Sequence, residues 1–245
     1  MSNPTKQMLM KKLFLSFCFF VIGVHAFTQW TWQNPLPQGN CLNSVRFIDV
    51  NTGYAVGNNG TILKTTDAGT TWSTVSSGTT YNLNSVCFPT PDIGYIVGAE
   101  SYFGIVLKTT DGGTSWNILS SGYFGILHSV YFTDSDHGCV VGDYAIVITS
   151  DGGVTWNPTF QNLAYLFNSV YFTSINIGYA VGSTLPGTDS PILKTINGGL
   201  TWDTLSSGTA NILFSVFFMN TDTGYIVGST GTILKTVDGG FHWIT

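Results

Sequence analysis

Residues 65–72 read Thr65-Thr66-Asp67-Ala68-Gly69-Thr70-Thr71-Trp72, and four further versions of this octad follow along the chain. The later copies are residues 109–116 (TTDGGTSW), 149–156 (TSDGGVTW), 195–202 (TINGGLTW) and 236–243 (TVDGGFHW). The tryptophans that close the five octads are 44, 40, 46 and 41 residues apart. Self-similarity at a nearly fixed period of this length indicates a repeat architecture.

Four short segments recur in every period around the octad. In the first period they are Leu42–Phe47 (LNSVRF), Gly53–Gly57 (GYAVG), residues 62–65 (ILKT) and a segment from Trp72 to about residue 78. Their Val, Ile, Tyr, Phe and Thr content, between Gly, Asn, Asp and Ser, is typical of strands and turns. No window has helical periodicity. Four strands per period predict an all-β β-propeller of four-stranded blades, with five blades in this chain.

The N-terminal residues 1–26 have the layout of a signal peptide. Lys6, Lys11 and Lys12 precede an apolar run at residues 13–24, and Ala26 ends a small-residue cleavage site. The apolar run is shorter than the ~20 residues of a membrane span. We therefore expect cleavage, a secreted, periplasmic or cell-surface location, and no membrane span in the mature chain. An uncleaved membrane anchor is the alternative.

The remaining residues 27–245 form one predicted propeller domain. Its N-terminal strand spans 27–41, and its blades span about 42–82, 83–126, 127–166, 167–212 and 213–245, the last incomplete. Residues 30–40 are similar to the fourth segment of a blade and could complete the last one. The end at Thr245 leads us to expect a fragment of a longer protein.

The octad has a structural interpretation. Asp67 can accept backbone N–H groups across the turn, Gly69 supplies a conformation that a side chain would hinder, and Trp72 can bury its ring between blades. Asn197 replaces the aspartate in the fourth copy and keeps the oxygen acceptor, which argues against a catalytic or calcium-binding role. The positions with these structural roles are Asp67, Gly69, Trp72, Asp111, Gly113, Trp116, Asp151, Gly153, Trp156, Asn197, Gly199, Trp202, Asp238, Gly240 and Trp243.

These octads match the Asp-box, also called the bacterial neuraminidase repeat. The longer unit, from LxSVxF through GYxVG to the octad, resembles the photosystem II assembly and stability factor family over about residues 30–243. The resemblance implies a propeller that commonly has seven blades, so these five would be part of a larger ring. It also implies help in assembling a protein complex, although Asp-box propellers occur in sialidases, xyloglucanases and sorting receptors as well.

Charge and composition exclude several functions. The chain without residues 1–26 has five basic and thirteen acidic residues, so nucleic-acid binding is not expected. Arg46 is the single arginine, whereas a sialidase needs an arginine cluster for the substrate carboxylate. Cys41, Cys87 and Cys139 fit neither a disulfide framework nor a metal site, and we expect them to be small buried hydrophobes. No metal or other cofactor is predicted.

The repeats diverge where their second and third strands join and where one blade passes to the next. We predict that Tyr102, Phe103, Tyr123, Phe124 and Tyr165 form a binding surface there, for a protein or for a glycan. The alternative is that these rings cap the blade ends.

The lysines at one strand position, Lys64, Lys108, Lys194 and Lys235, are either a ring of cations or solvent-facing edge residues, and Ile148 in the third copy favours the second interpretation.

Three functions remain open. The first is a secreted or cell-surface, non-catalytic propeller that binds protein in the manner of an assembly factor. The second is a carbohydrate-binding or adhesive module. The third is a fragment of an Asp-box glycoside hydrolase, for which Glu100 and Asp143 are the conceivable pair of carboxylates.

Overall fold

The structure is a computed structural model that describes residues 39–120, 125–185, 187 and 190–244. The chain divides into two units, Met1–Pro35 and Leu36–Thr245, and every described residue belongs to the second. The predicted signal peptide at residues 1–26 lies outside the described residues, as does nearly all of the predicted strand at 27–41.

The first two repeats each form a four-stranded antiparallel sheet whose strands follow chain order. In the first sheet, β1 spans Leu42–Phe47, β2 Gly53–Gly57, β3 Thr61–Thr65 and β4 Ser73–Val75. In the second sheet, β5 spans Asn82–Cys87, β6 Gly94–Glu100, β7 Phe103–Thr109 and β8 Asn117–Ser120. This strand number and order are those of propeller blades.

The third and fourth repeats share one six-stranded sheet with the order β14-β13-β12-β11-β10-β9. Its strands are β9 (Leu127–Phe132), β10 (Gly138–Thr149), β11 (Asn157–Phe172), β12 (Gly178–Thr184), β13 (Ile192–Thr195) and β14 (Asp203–Leu205). The fifth repeat is a three-stranded sheet of β15 (Leu213–Phe218), β16 (Gly224–Gly228) and β17 (Ile233–Thr236), with a 3-10 turn at Ser229–Gly231. The described residues therefore form four sheets, and the prediction of five blades was wrong.

The shared sheet arises because β11 runs without a break from the third repeat into the fourth. It replaces the last strand of one repeat, the connection, and the first strand of the next. Its first half pairs with β10 and its second half pairs with β12. Other connections contain a Ser-Ser-Gly turn, in which Gly78 and Gly208 have φ values of 71° and 70°. The third repeat has Phe160-Gln161-Asn162 in the corresponding stretch. Without a glycine that adopts positive φ, the chain stays extended and the two sheets join.

The apolar core lies between successive repeats. Each of four clusters of buried side chains combines strands of two consecutive repeats. The first joins Tyr54 and Ile62 of the first repeat to Leu83, Phe88 and Trp116 of the second. A single sheet encloses no core of its own, so each repeat depends on its neighbour for burial.

The second glycine of each GYxVG segment marks a close approach of two backbones. A Cβ atom at Gly57 would lie 2.0 Å from the carbonyl oxygen of Cys41, and one at Gly98 would lie 2.0 Å from that of Asn82. No side chain fits at these distances, which explains why glycine recurs at this position.

The first and last sheets expose surfaces that the inner repeats bury. Val45 on β1 is 62% exposed, whereas the equivalent Val86 is 6% exposed. Ile233 on β17 is 59% exposed, whereas the equivalent Ile62 is 1% exposed. Each terminal sheet therefore presents an apolar flank with the composition of an inter-repeat contact.

The cysteines are only partly as predicted. Cys87 and Cys139 are free and buried, and burial raises the pKa of both thiols. Cys41 is free but exposed, so the prediction of a buried small hydrophobe was wrong for this residue.

Candidate protein-binding face

The octads are tight turns held by aspartate and threonine side chains. Asp67 Oδ1 accepts the N–H of Thr71 at 2.8 Å, and Asp67 Oδ2 accepts its hydroxyl at 2.6 Å. The hydroxyl of Thr65 donates to Asp67 Oδ1 at 2.8 Å and accepts the N–H of Gly69 at 2.9 Å. Gly69 has a φ of 85°, which a side chain would strain. The aspartate is thus the acceptor that the turn requires.

These hydrogen bonds favour the charged carboxylate. The hydroxyl and N–H of Thr71 hold the pKa of Asp67 below its usual value. The same groups of Thr155 lower the pKa of Asp151 to about 2. In the fourth octad, Asn197 Oδ1 accepts the N–H of Thr201 at 3.0 Å and Nδ2 donates to its hydroxyl at 2.8 Å. The turn therefore also forms with a neutral acceptor.

Each octad tryptophan packs against a phenylalanine of its own repeat. Trp116 meets Phe88 edge-on, with ring centroids 5.8 Å apart, and Trp116 is 7% exposed. The five equivalent pairs have centroid distances between 5.8 and 6.2 Å. Trp116 also belongs to the apolar cluster between the first two repeats. The octad is therefore scaffold that closes inter-repeat contacts.

Three of the four repeated lysines connect successive repeats, which neither of the two predicted interpretations describes. Lys64 Nζ donates to the carbonyl oxygen of Gly112 in the next octad at 2.8 Å, and it lies 5.4 Å from the ring centroid of Tyr54. The equivalent pairs are Lys108 with Gly152 at 2.8 Å and Lys194 with Gly239 at 2.7 Å. These ammonium groups are half-buried or buried in structural contacts and do not form a cationic binding ring.

Strand register separates the octads from the divergent loops. Phe47 pairs with Gly53, and Gly53 pairs with Thr65, which places the octad at one end of the sheet. Leu42 pairs with Gly57, and Gly57 pairs with Thr61, at the opposite end. We call these the octad end and the variable end. Connections between the second and third strands, and between repeats, lie at the variable end.

A hairpin of the second repeat extends the variable end. Strands β6 and β7 have seven residues each, whereas β2 and β3 have five each. Glu100 pairs with Phe103, so the turn consists of Ser101 and Tyr102. Tyr102 is 76% exposed and Phe103 is 57% exposed. Two aromatic rings thus stand in solvent on a hydrogen-bonded hairpin, an arrangement suited to recognition.

A depression of about 350 Å³ lies at the variable end of the third repeat, lined in part by Gly125, Asp143, Tyr144 and Leu163. Asp143 Oδ1 is 3.0 Å from Nε2 of His128. Leu163 is 79% exposed. A Cβ atom at Gly104 in the extended hairpin would lie 2.8 Å from the carbonyl oxygen of Gly125, so the hairpin base adjoins the depression. We call the hairpin tip and this depression together the variable-end face.

The predicted binding residues that the structure describes have different environments. Tyr102 and Phe103 lie at the exposed hairpin tip. Tyr165 instead packs against Phe160 and Phe167, with centroid distances of 5.1 and 5.7 Å, and is partly buried in the core. Its ring therefore agrees with the alternative of a residue that caps a blade end. Tyr123 and Phe124 lie outside the described residues.

Sequence reasoning missed a second cavity, of about 400 Å³, at the octad end between the third and fourth repeats. Its lining includes Cys139, Ile148, Phe172 and Gly198. The available signal was the departure of the third repeat from the others, which have tyrosine and lysine at the positions of Cys139 and Ile148.

The described residues contain no group of three or more His, Cys, Asp or Glu side chains placed to hold a metal ion. Within the same residues, no helical segment has the length and apolarity that a bilayer span would need.

Comparison with known proteins identifies the relatives of this fold. Residues 24–123, less than half of the chain, match the family described as Photosynthesis system II assembly factor YCF48. No curated protein matches the chain. The structure of YCF48 bound to a D1 peptide is 25% identical with a TM-score of 0.65, and the match covers 86% of this chain and 69% of that one.

Two further structures agree with the fold. YCF48 from Cyanidioschyzon merolae is 19% identical, with a TM-score of 0.60 and 87% of both chains covered. The GH74 enzyme of Niastella koreensis is 19% identical with a TM-score of 0.63, over 79% of this chain and 35% of that enzyme. The prediction of an all-β propeller with four-stranded blades is confirmed, and the chain is an Asp-box propeller that resembles the photosystem II assembly factor.

Proposed function

We propose that this Asp-box propeller, which resembles YCF48, is a non-catalytic scaffold that binds a segment of a partner protein. The observation that carries the proposal is its similarity to a propeller whose structure contains a bound peptide, at 25% identity over 86% of the present chain. The chain offers a paired hairpin with exposed aromatic rings, which suits the holding of a partner segment.

The variable-end face is the proposed contact surface. Tyr102 and Phe103 project from a paired hairpin, so they lose little conformational freedom when a partner covers them. The adjacent depression, with Leu163 exposed beside Asp143, offers room for one or two side chains of a bound segment. Tyr123 and Phe124 remain part of the proposed face on sequence grounds, whereas the packing of Tyr165 on Phe160 favours the alternative that its ring caps a blade end.

Charge favours a neutral or basic segment over an acidic one. The chain after residue 26 has five basic and thirteen acidic residues, and the basic Lys64, Lys108 and Lys194 are engaged in inter-repeat contacts. An acidic peptide would meet net repulsion with few free cations.

Carbohydrate binding is the second candidate. It is favoured by the exposed rings of Tyr102 and Phe103, which could stack on sugar faces, and by the fold similarity to a GH74 enzyme. In the glycoside hydrolase form of this candidate, Glu100 and Asp143 would supply the two carboxylates.

Export to the periplasm or cell surface, with cleavage after Ala26, is a further part of the proposal, and N-terminal sequencing of the exported protein tests it. We also propose that the repeats belong to a larger, seven-bladed ring, which the exposed apolar flanks at Val45 and Ile233 support. The blade number in an experimental structure of the natural gene product is the measurement that decides this.

The binding experiment compares a variable-end variant with a matched octad-end variant. A D1 peptide and a random peptide display library serve as probes against the wild type, Tyr102→Ala/Phe103→Ala, and Val50→Ala/Val154→Ala, whose valines are 84% and 79% exposed. We expect the aromatic pair to weaken binding of any selected peptide at least tenfold, which corresponds to about 1.4 kcal/mol. The valine pair should leave binding unchanged.

Three other outcomes oppose the proposal. Equal loss in both variants would place binding elsewhere. Binding to a glycan array without any peptide binding would favour the carbohydrate candidate. Release of reducing sugar that Asp143→Asn or Glu100→Gln abolishes would make the chain an enzyme.

A further inference from the structure

Three of the four inter-repeat contacts are closed by the same pair of side chains. Tyr95 donates its hydroxyl to the carbonyl oxygen of Gly152 at 3.0 Å, and Lys108 Nζ donates to the same oxygen at 2.8 Å. The ring of Tyr95 also stacks on Phe132, with centroids 3.5 Å apart. The equivalent sets are Tyr54, Lys64, Gly112 and Phe88, and Tyr179, Lys194, Gly239 and Phe218.

The contact between the third and fourth repeats lacks both side chains. Cys139 occupies the position of the tyrosine and Ile148 that of the lysine. The phenylalanine ring and the glycine of the octad, which the tyrosine and lysine contact elsewhere, are still present. Here they are Phe172 and Gly198, and both line the cavity of about 400 Å³ that remains there. Among the described residues, no side chain donates a hydrogen bond to the Gly198 carbonyl, whereas its three counterparts each accept two.

The cavity has apolar walls and a neutral polar rim. Ile148, Phe172 and the ring of Tyr131 supply the apolar surface. Asn197 stands where the other octads have an aspartate, so the charge that would favour an ammonium ligand is missing. The titratable groups that line the cavity are the Tyr131 hydroxyl and the Cys139 thiol, whose pKa values are both raised by burial, and His137, which contacts Asp134 at 3.0 Å.

We propose that this cavity binds an uncharged phenol ring, which takes the place of the missing tyrosine. The ring would stack on Phe172 between Ile148 and Tyr131, and its hydroxyl would donate to the Gly198 carbonyl, as Tyr54, Tyr95 and Tyr179 do in the other contacts. Apolar cavities of this kind accept small aromatic molecules in proteins. The proposal concerns the octad end and is independent of the partner-binding face.

The same chemistry can come from a free phenol or from a tyrosine side chain of a peptide. The experiment therefore titrates the whole protein with p-cresol, with N-acetyl-tyrosinamide and with toluene, and it follows methyl signals of labelled isoleucines by NMR. We expect p-cresol to shift the Ile148 signal in a saturable manner, while the signal of Ile62, in a contact that is already filled, stays in place. Toluene lacks the donor and should bind about fivefold more weakly.

The second ligand separates the two sources. Saturable shifts with N-acetyl-tyrosinamide as well as p-cresol would identify a site open to peptide tyrosines, and shifts with p-cresol alone would identify a small-molecule site. The Cys139→Tyr variant should lose p-cresol binding, because its own ring fills the cavity. Absence of a saturable Ile148 shift in the wild type with either phenol would overturn the proposal, as would undiminished binding to a folded Cys139→Tyr variant.

Discussion

Ile148 and Asn197 line one cavity at the contact between the third and fourth repeats, where the other contacts have a lysine and an octad aspartate. In the first contact, for example, Lys64 reaches the octad of Asp111 through the Gly112 carbonyl. Cation and anion are thus absent together from a single contact. Because the lysine position is half-buried, a cation there without the octad anion would be unfavourable, and the joint replacement keeps this contact neutral.

Restoring both charges should therefore be better than restoring one. We expect Ile148→Lys and Asn197→Asp to couple favourably by about 0.3–1 kcal/mol in a double-mutant cycle, because each charge acquires its partner only in the double variant. The measurement is urea unfolding of the four proteins. Val154→Ala in place of Asn197→Asp supplies the uncoupled control. Strict additivity of Ile148→Lys and Asn197→Asp would contradict this account.

The inter-repeat lysines should matter more than the lysine of the last repeat. Lys108→Met removes a charged donor from the Gly152 carbonyl and leaves a half-buried acceptor without it, so we expect a loss of about 1–2 kcal/mol in unfolding free energy. Lys235→Met is the matched control. Lys235 is exposed, lies 5.8 Å from the Tyr225 ring, and donates to no carbonyl among the described residues through its ammonium.

That control should change stability by less than about 0.5 kcal/mol. Equal losses from Lys108→Met and Lys235→Met in equilibrium denaturation would mean that the carbonyl contact contributes nothing specific.

Acid should weaken the octads through their aspartates. Folding lowers the pKa of Asp151 from its usual 3.8 to about 2, mainly through the hydroxyl of Thr155. A lowered pKa contributes stability that is complete above the unfolded value and is lost as the pH falls through the folded value. We therefore expect the melting temperature to fall between about pH 4 and pH 2.

The Asp151→Asn variant tests the cause, because the fourth octad already forms with Asn197. Its melting temperature should fall less steeply with acid than that of the wild type. Val154→Ala, which leaves the Asp151 carboxylate in place, should follow the wild-type profile. An Asp151→Asn profile parallel to the wild type would assign the acid sensitivity to other groups.

The repeat pattern was sufficient to predict strands, blade type and octad turns, because those depend on local chemistry that recurs five times. The shared six-stranded sheet could not be predicted from the average repeat, since it depends on one missing glycine turn near Gln161. The function of Lys64 was also hidden, because its carbonyl partner is 48 residues away and on another sheet. The cavity at Cys139 had a visible signal, but only as a departure from the repeat.

The candidate binding residues were harder to predict for a similar reason. Tyr102 and Tyr165 both occur in divergent loops, yet the first stands in solvent and the second packs on Phe160. An aromatic residue in a divergent loop can be exposed or can pack against another ring. Which of the two occurs depends on whether a ring of another strand lies within reach.

The exposed flank of the first sheet allows one substitution to be compared at two equivalent positions of the chain, one exposed and one buried. Val45 and Val86 occupy the same position in successive repeats, but Val45 is 62% exposed and Val86 is 6% exposed. Val86→Asp would bury an unpaired carboxylate between two repeats, and we expect it to cost at least about 3 kcal/mol or to prevent folding. Val45→Asp places the same group in water and should cost less than about 1 kcal/mol.

Guanidinium unfolding monitored by tryptophan fluorescence measures both variants in the same chain background. Val45→Ala and Val86→Ala separate the loss of apolar packing from the burial of charge, since only the second should be destabilising, by about 1–2 kcal/mol. A strong effect of Val45→Asp would mean that this flank is covered in solution. Val45 would then be in the situation of Val86, whose flank packs against the neighbouring repeat.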